Sequence, residues 1–483
     1  MNGNLKHTVI TKLFFLLFYL VFFSELIQAQ NINIIIHLRG VRESKISLYA
    51  LVGVKQMKPL SVIENVNNNE TITLKVSKNN LPGDFVLRFD YKENDSSSPY
   101  PSEKRIIIND QDLELWVHPM YCNNTDSTWF QKEERENTAY IRFLKESIRH
   151  KKILGLLQNF LLNYDDTKSS FYQKGIKEYE KRLRIYNQWI TEETKKYKDL
   201  FVSSLFGFNY VTEIKWTGGE TDRKQRLREN YFDWIDFNDT LIIKSSLMKE
   251  WMDGYVNLYG EIATTIALRD SLFTLAGKTA IEKARSGHPK IYGWMVDYFF
   301  NGYESINIES GIKMLQPYLD DPNCLTSKRQ SINRRLEGIE KLIPGVTTPN
   351  IIMMDAENKP FELYSVSTAK EYLLLLFWSC DCGHCTEMVN KLYPWSRQVQ
   401  SQQMIDIIAI SLDKTDEEIQ TWQKKIKDLP GWIHLQAKEG LNSKVASDYY
   451  ILGIPVMILV HAKNREIIAL PDNTEDLDKI LGL

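Results

Sequence analysis

Leu373-Leu374-Leu375-Leu376-Phe377-Trp378-Ser379-Cys380-Asp381-Cys382-Gly383-His384-Cys385 decides how the C-terminal part of this chain folds. Its first half is a continuous apolar run, the pattern of a strand buried on both faces. The run stops at small and polar residues, which predicts a turn and then a helix from about Thr386 to Val399. Cys382 and Cys385 therefore fall in the first helical turn, two residues apart and within disulfide reach. A helix N-terminus offers unpaired N–H groups and the positive end of its dipole, and both favour a thiolate there. The thiolate is the reacting form of cysteine, so this spacing at a strand-to-helix junction predicts thiol–disulfide chemistry. Half of a structural zinc site is the competing reading of a C-x-x-C. It needs a second ligand pair, and the other distant cysteines, Cys122 and Cys324, form none. Cys380 and His384 crowd the motif, but a strand end and a helix start splay such side chains apart. No metal and no cofactor are expected.

The chain has 483 residues, more than one core usually holds, so several domains are expected. A formal net charge of −2 gives no basic footprint for nucleic acid. At the N-terminus Lys6, His7 and Lys12 precede the apolar run Leu13–Phe23, and Ala29 follows. That is the layout of a secretory signal peptide over residues 1–29, cut before Gln30. The run is short for a membrane span, which needs about 20 residues. Export would place the dithiol in an oxidising compartment, the periplasm or cell envelope.

From residue 30 to 120 short alternating strands separated by polar turns predict a small all-β domain, a β-sandwich or open barrel. Candidate strands are Ile32–His37, Lys45–Leu51, Glu70–Val76, Phe85–Tyr91, Arg105–Ile108 and Leu113–Val117. Between 121 and 343 the period changes to that of helices. Ile176, Tyr179, Leu183, Tyr186 and Ile190 form a heptad seam, expected to pair with a helix around Tyr140–Leu162. The aromatic stretch Tyr231–Phe237 reads as core, with a ligand groove as the alternative. Residues 344–483 alternate strand and helix and end in a hairpin and a helix, an α/β domain with a four- or five-stranded sheet.

This last segment resembles the thioredoxin superfamily, and most closely its TlpA-like, envelope-facing branch. The residues that carry the resemblance are Phe377-Trp378, Cys382-Gly383-His384-Cys385 and Gly453-Ile454-Pro455-Val456, with Pro349 near the first hairpin. The helical segment before it is similar to an uncharacterised helical domain that precedes redoxin modules in some Gram-negative envelope proteins. The resemblance implies that Cys382 attacks, Cys385 resolves, and Pro455 is a cis proline facing them. It also implies that the Ile454 backbone pairs with a substrate strand and that Trp378 packs beneath the site. Protein disulfides would be the substrates and a membrane or envelope dithiol the electron partner. His384 supplies the dipeptide found in protein disulfide isomerase, where a histidine stabilises the thiolate and favours oxidation. TlpA-like proteins are mostly reductases, so the direction of transfer stays open.

Several positions depart from the family pattern. Asp381 replaces the usual tryptophan and sets a carboxylate beside Cys382, which works against the thiolate. Leu376 stands where thioredoxin keeps a buried aspartate, and Met388 where the TlpA-like branch often has a glutamate. Glu387 lies about 100° away around the helix. The expectation is that no buried base serves the resolving step. Two other function classes compete with disulfide exchange. A thiol peroxidase is suggested by Ser379, three residues before Cys382, but Leu375 stands where its proline belongs. The other is a binding or scaffold protein with a vestigial redox module.

Overall fold

A computed structural model describes residues 31–51, 58–216 and 218–483, so the expected signal peptide at 1–29 lies outside the described residues. The chain divides into two compact units between Tyr298 and Phe299. Among the described residues no helix is long and apolar enough to cross a membrane.

In the first unit the strands are β1 (Ile32–Leu38), β2 (Glu43–Ala50), β3 (Ser61–Asn67), β4 (Thr71–Val76), β5 (Gly83–Lys92), β6 (Tyr100–Ile108), β7 (Leu113–Val117) and β8 (Trp129–Phe130). They form two four-stranded sheets, ordered β4-β1-β7-β8 and β3-β2-β5-β6. Ile32, Ile34, Ile36 and Leu38 of β1 point inward while the residues between them stay half-exposed, the period of two expected of a strand with one covered face. Inward residues of both sheets share one core, which makes this a sandwich. The mostly exposed β3 lacks apolar alternation and was not among the predicted strands. β8 lies past residue 120 and completes the first sheet.

β6 is an edge strand, and bare edges invite pairing with other chains. Here Asn137 covers it: its Oδ1 accepts from Ile107 N at 2.8 Å and its Nδ2 donates to Ile107 O at 2.8 Å. Asn137 belongs to the helix Glu136–Asn163, which pairs with the helix Ser170–Lys196. All five residues of the heptad seam are buried. The Tyr231–Phe237 stretch is not helical; Phe232 and Phe237 are buried while Trp234 is 44% exposed. Tyr231, Trp234 and Ile235 also help to line a cavity of about 190 Å³, so the stretch is part core and part groove wall.

The second unit begins inside the helix Pro289–Ser305 and holds the helices Glu309–Leu319 and Arg329–Lys341 with the α/β domain. A hairpin of β9 (Ile352–Met354) and β10 (Pro360–Glu362) precedes β11 (Tyr372–Trp378), β12 (Ile405–Ser411), β13 (Ile433–Gln436), β14 (Val456–His461) and β15 (Ile467–Ala469). The last five form one sheet ordered β13-β12-β11-β14-β15. β12 is parallel to both β11 and β13, whereas β14 runs antiparallel to β11 and β15. β13, four residues long, was not anticipated.

β11 lies at the centre and explains its own sequence. Leu373, Leu375 and Phe377 enter one core with Tyr449 and Ile451; Leu374, Leu376 and Trp378 enter another with Val389, Leu392 and Trp422. A strand covered on both sides has no polar face to show, hence the unbroken apolar run from Leu373 to Trp378. The N-terminal all-β, central helical and C-terminal α/β organisation expected of the chain is the one observed.

Candidate active site

β11 and β12 run in parallel and stop together, with Trp378 opposite Ser411. Past Trp378 the chain turns through Ser379, Cys380 and Asp381 into the helix Gly383–Ser396. Cys382 is the N-cap residue of that helix, with φ −96° and ψ 114°. Its sulfur occupies the place a serine or aspartate oxygen takes at other helix starts, accepting from Cys385 N at 3.2 Å. The helix begins one turn earlier than the predicted Thr386, which brings Cys385 inside it.

Across the site the Ile454–Pro455 peptide is cis. The Cys382 thiol donates to the Ile454 carbonyl oxygen at 3.8 Å, so the first cysteine and the proline turn face each other. A Cβ placed on Gly383 or Gly453 would meet nothing within 4 Å, and both mark the open mouth of the site. His384 and Asp381 are exposed, and Trp378 is fully buried beneath in the same cluster as Cys385. The structure therefore brings Cys382, Cys385, Ile454 and Pro455 together, seats Trp378 under them, and leaves Gly383 and His384 at the surface.

The three cysteines here differ in setting. Cys382 is half-buried and Cys385 fully buried. Burial pushes the Cys385 thiol well above its ordinary range, its contact with Cys382 and the charge of Asp413 push the same way, and the Ser379 backbone N–H pulls it down. Cys380, half-buried, is pushed up to about 12, first by burial and then by Asp413, against a smaller pull from Lys425.

Asp413 corrects the expectation that the site has no buried carboxylate. It lies two residues past the end of β12 and is 1% exposed. Ser379 Oγ donates to its Oδ1 at 2.5 Å, Cys380 N to the same oxygen at 3.0 Å, and Ser411 Oγ to its Oδ2 at 2.7 Å. The family pattern sets its acid on β11 or on the dithiol helix; here the buried carboxylate comes from the segment just past β12. The readable signal was Ser411-Leu412-Asp413, a charge closing an apolar strand. Glu387 faces solvent and pairs with Lys391, and Met388 packs on the core, so neither serves the site. Ser379, the residue that suggested peroxidase chemistry, commits its hydroxyl to Asp413. Among the described residues no group of three or more His, Cys, Asp or Glu side chains is arranged to hold a metal ion.

Residues 370–467 match the model of a family described as Thioredoxin-like. Among solved structures, a thioredoxin-like protein from Bacteroides caccae is 20% identical; the alignment covers 56% of this chain and 96% of that one, with a TM-score of 0.37. The C-terminal domain of a putative thiol-disulfide oxidoreductase from Bacteroides thetaiotaomicron is 27% identical over 29% of this chain and 95% of that one, TM-score 0.26. A domain of a possible thiol-disulfide isomerase from Cytophaga hutchinsonii is 30% identical over 29% and 92%, TM-score 0.26. No curated protein matches the chain.

Proposed function

With the C-terminal part of the chain a thioredoxin-like domain, we propose that the protein is an exported thiol–disulfide oxidoreductase of the TlpA-like kind, exchanging disulfides with protein substrates through Cys382 and Cys385. The observation that carries this reading is the Cys382 sulfur: half-exposed, capping a helix, and opposite the Ile454–Pro455 turn.

The Cys382 thiolate attacks one sulfur of a substrate disulfide, the other leaves as a thiolate and takes a proton, and a mixed disulfide joins Cys382 to substrate. Cys385 gives up its proton and attacks the Cys382 sulfur; a Cys382–Cys385 bond forms, and the second substrate sulfur leaves and is protonated. Two electrons pass from the dithiol to the substrate. A membrane or envelope dithiol returns them, and the same steps reversed would oxidise a substrate dithiol. The Ile454 backbone lies beside the Cys382 sulfur, and in this reading it pairs with an extended substrate strand. Export rests on the signal-like residues 1–29.

Insulin reduction in the presence of dithiothreitol tests the activity. The wild-type chain should accelerate precipitation of the reduced B chain and Cys382→Ala should not. Equal rates for the two, in folded protein, would overturn the proposal.

A further inference from the structure

The carboxylate of Asp413 is buried beside the turn that carries the dithiol. We infer that Asp413 keeps Cys380, the extra thiol of the C-x-C-x-x-C run, out of the exchange: tied across the ends of two strands and bonded to the Cys380 N–H, it sets a fixed negative charge beside that thiol. This deepens the dithiol reading and rests on it.

Parallel pairing puts the last residues of β11 and β12 side by side, and Leu412 N donates to Trp378 O at 2.8 Å just past that pairing. One residue later Asp413 reaches across to the turn that delivers the cysteines. Both carboxylate oxygens are occupied, by the Ser379 and Ser411 hydroxyls and the Cys380 N–H, while Asp413 N donates back to Ser411 Oγ at 3.1 Å and Gln436 Nε2 donates to its carbonyl at 3.0 Å. Such an anchored group cannot swing away, and at 1% exposure water screens it little.

A fixed negative charge in a poorly screened site disfavours a second one nearby. Cys380 N donates to Asp413 Oδ1 at 3.0 Å, and after burial the Asp413 charge is what raises the Cys380 thiol most, against a pull from Lys425; Cys385 is raised by burial first, with Cys382 and Asp413 adding to it. In both cases Asp413 adds to burial in keeping the thiol protonated. Cys382 sits instead where the helix N–H groups converge. A C-x-C-x-x-C run has three sulfurs able to attack, and two of them are held back. Asp413 is in this sense a positioning residue, acting through the thiols and touching no substrate.

The test is iodoacetamide labelling of each cysteine in the full reduced chain, followed by peptide mass against pH. In Asp413→Asn the labelling curves of Cys380 and Cys385 should move to lower pH. At a fixed alkaline pH, Cys380 should then label roughly threefold to tenfold faster than in wild type, a shift of up to one pH unit. An unchanged Cys380 curve in a folded Asp413→Asn protein overturns the inference. Ser379→Ala keeps the charge and removes one of its hydroxyl donors, so Cys380 should label no faster than in wild type. Faster labelling there would mean that the turn, not the charge, protects the thiol, and would overturn the inference even if Asp413→Asn did not fold. Labelling needs no disulfide substrate. A chain that fails in insulin reduction yet shows the shift loses the proposed function and keeps the assignment of the charge.

Discussion

The sulfur of Cys382 lies 3.8 Å from the carbonyl oxygen of Ile454, although 72 residues separate them in the chain. That contact joins the dithiol helix to the turn at Pro455. Cys382 is half-buried at this contact, whereas Cys385 is fully buried.

If the half-exposed sulfur attacks and the buried one resolves, the two alanine variants should fail differently. Cys382→Ala should form no adduct with a disulfide substrate. Cys385→Ala should accumulate a mixed disulfide through Cys382, visible as a mass increase that dithiothreitol removes. An adduct on Cys385 in the first variant would reverse the assigned order.

Alkaline pH should destabilise the reduced protein. The Cys380 and Cys385 thiols sit above the ordinary value of 9.0 in the folded state, mainly through burial, so the folded state holds protons that the unfolded chain releases. Stability is then fully present below about pH 9 and falls as pH rises beyond it, towards pH 12 for Cys380. Urea midpoints between pH 8 and 11 should decline, and Cys380→Ser should decline less steeply than wild type.

Two glycines should respond in opposite ways to alanine. At Gly383, in the first turn of the dithiol helix, an added Cβ meets open space, and the reduced protein should gain about 0.5–1 kcal/mol from a less flexible unfolded chain. At Gly338, in the helix Arg329–Lys341, a Cβ would come within 2.7 Å of Tyr450 Cβ. Gly338→Ala should cost about 1–3 kcal/mol, since neither neighbour can yield without moving backbone. Thermal unfolding of both variants checks the pair.

Trp378 is fully buried, and its Nε1 has no hydrogen-bond partner among the described residues. Trp378→Phe should therefore lose little, under about 1.5 kcal/mol, because it keeps most of the ring and removes an unsatisfied N–H. Trp378→Ala should cost about 3–5 kcal/mol through the cavity it leaves. Denaturant titration of the reduced proteins distinguishes the two.

Much was legible before folding was considered, and for local reasons. Leu373–Phe377 had to be a strand covered on both sides because it has no polar face. Cys382 and Cys385 had to share the start of a helix because a turn of small residues precedes an amphipathic run. The seam from Ile176 to Ile190 and the inward side of β1 announced themselves by period. Short or polar-faced strands did not: β3 shows no apolar alternation, and β13 is held by register with β12 rather than by its own pattern. Residues 299–341 read as a continuation of the helical segment, yet they belong to the same compact unit as the α/β domain.

The amino-acid order by itself thus determined the dithiol and its helix, since both depend on residues within one turn or one strand of one another, while the cis proline facing them was implied by the family resemblance. Only the tertiary structure decided the electrostatics around them. Asp413 reaches Ser379 and Cys380 because β12 pairs with β11 in a register that ends both strands level. Register is a property of the whole sheet, and no periodicity in either strand alone expresses it.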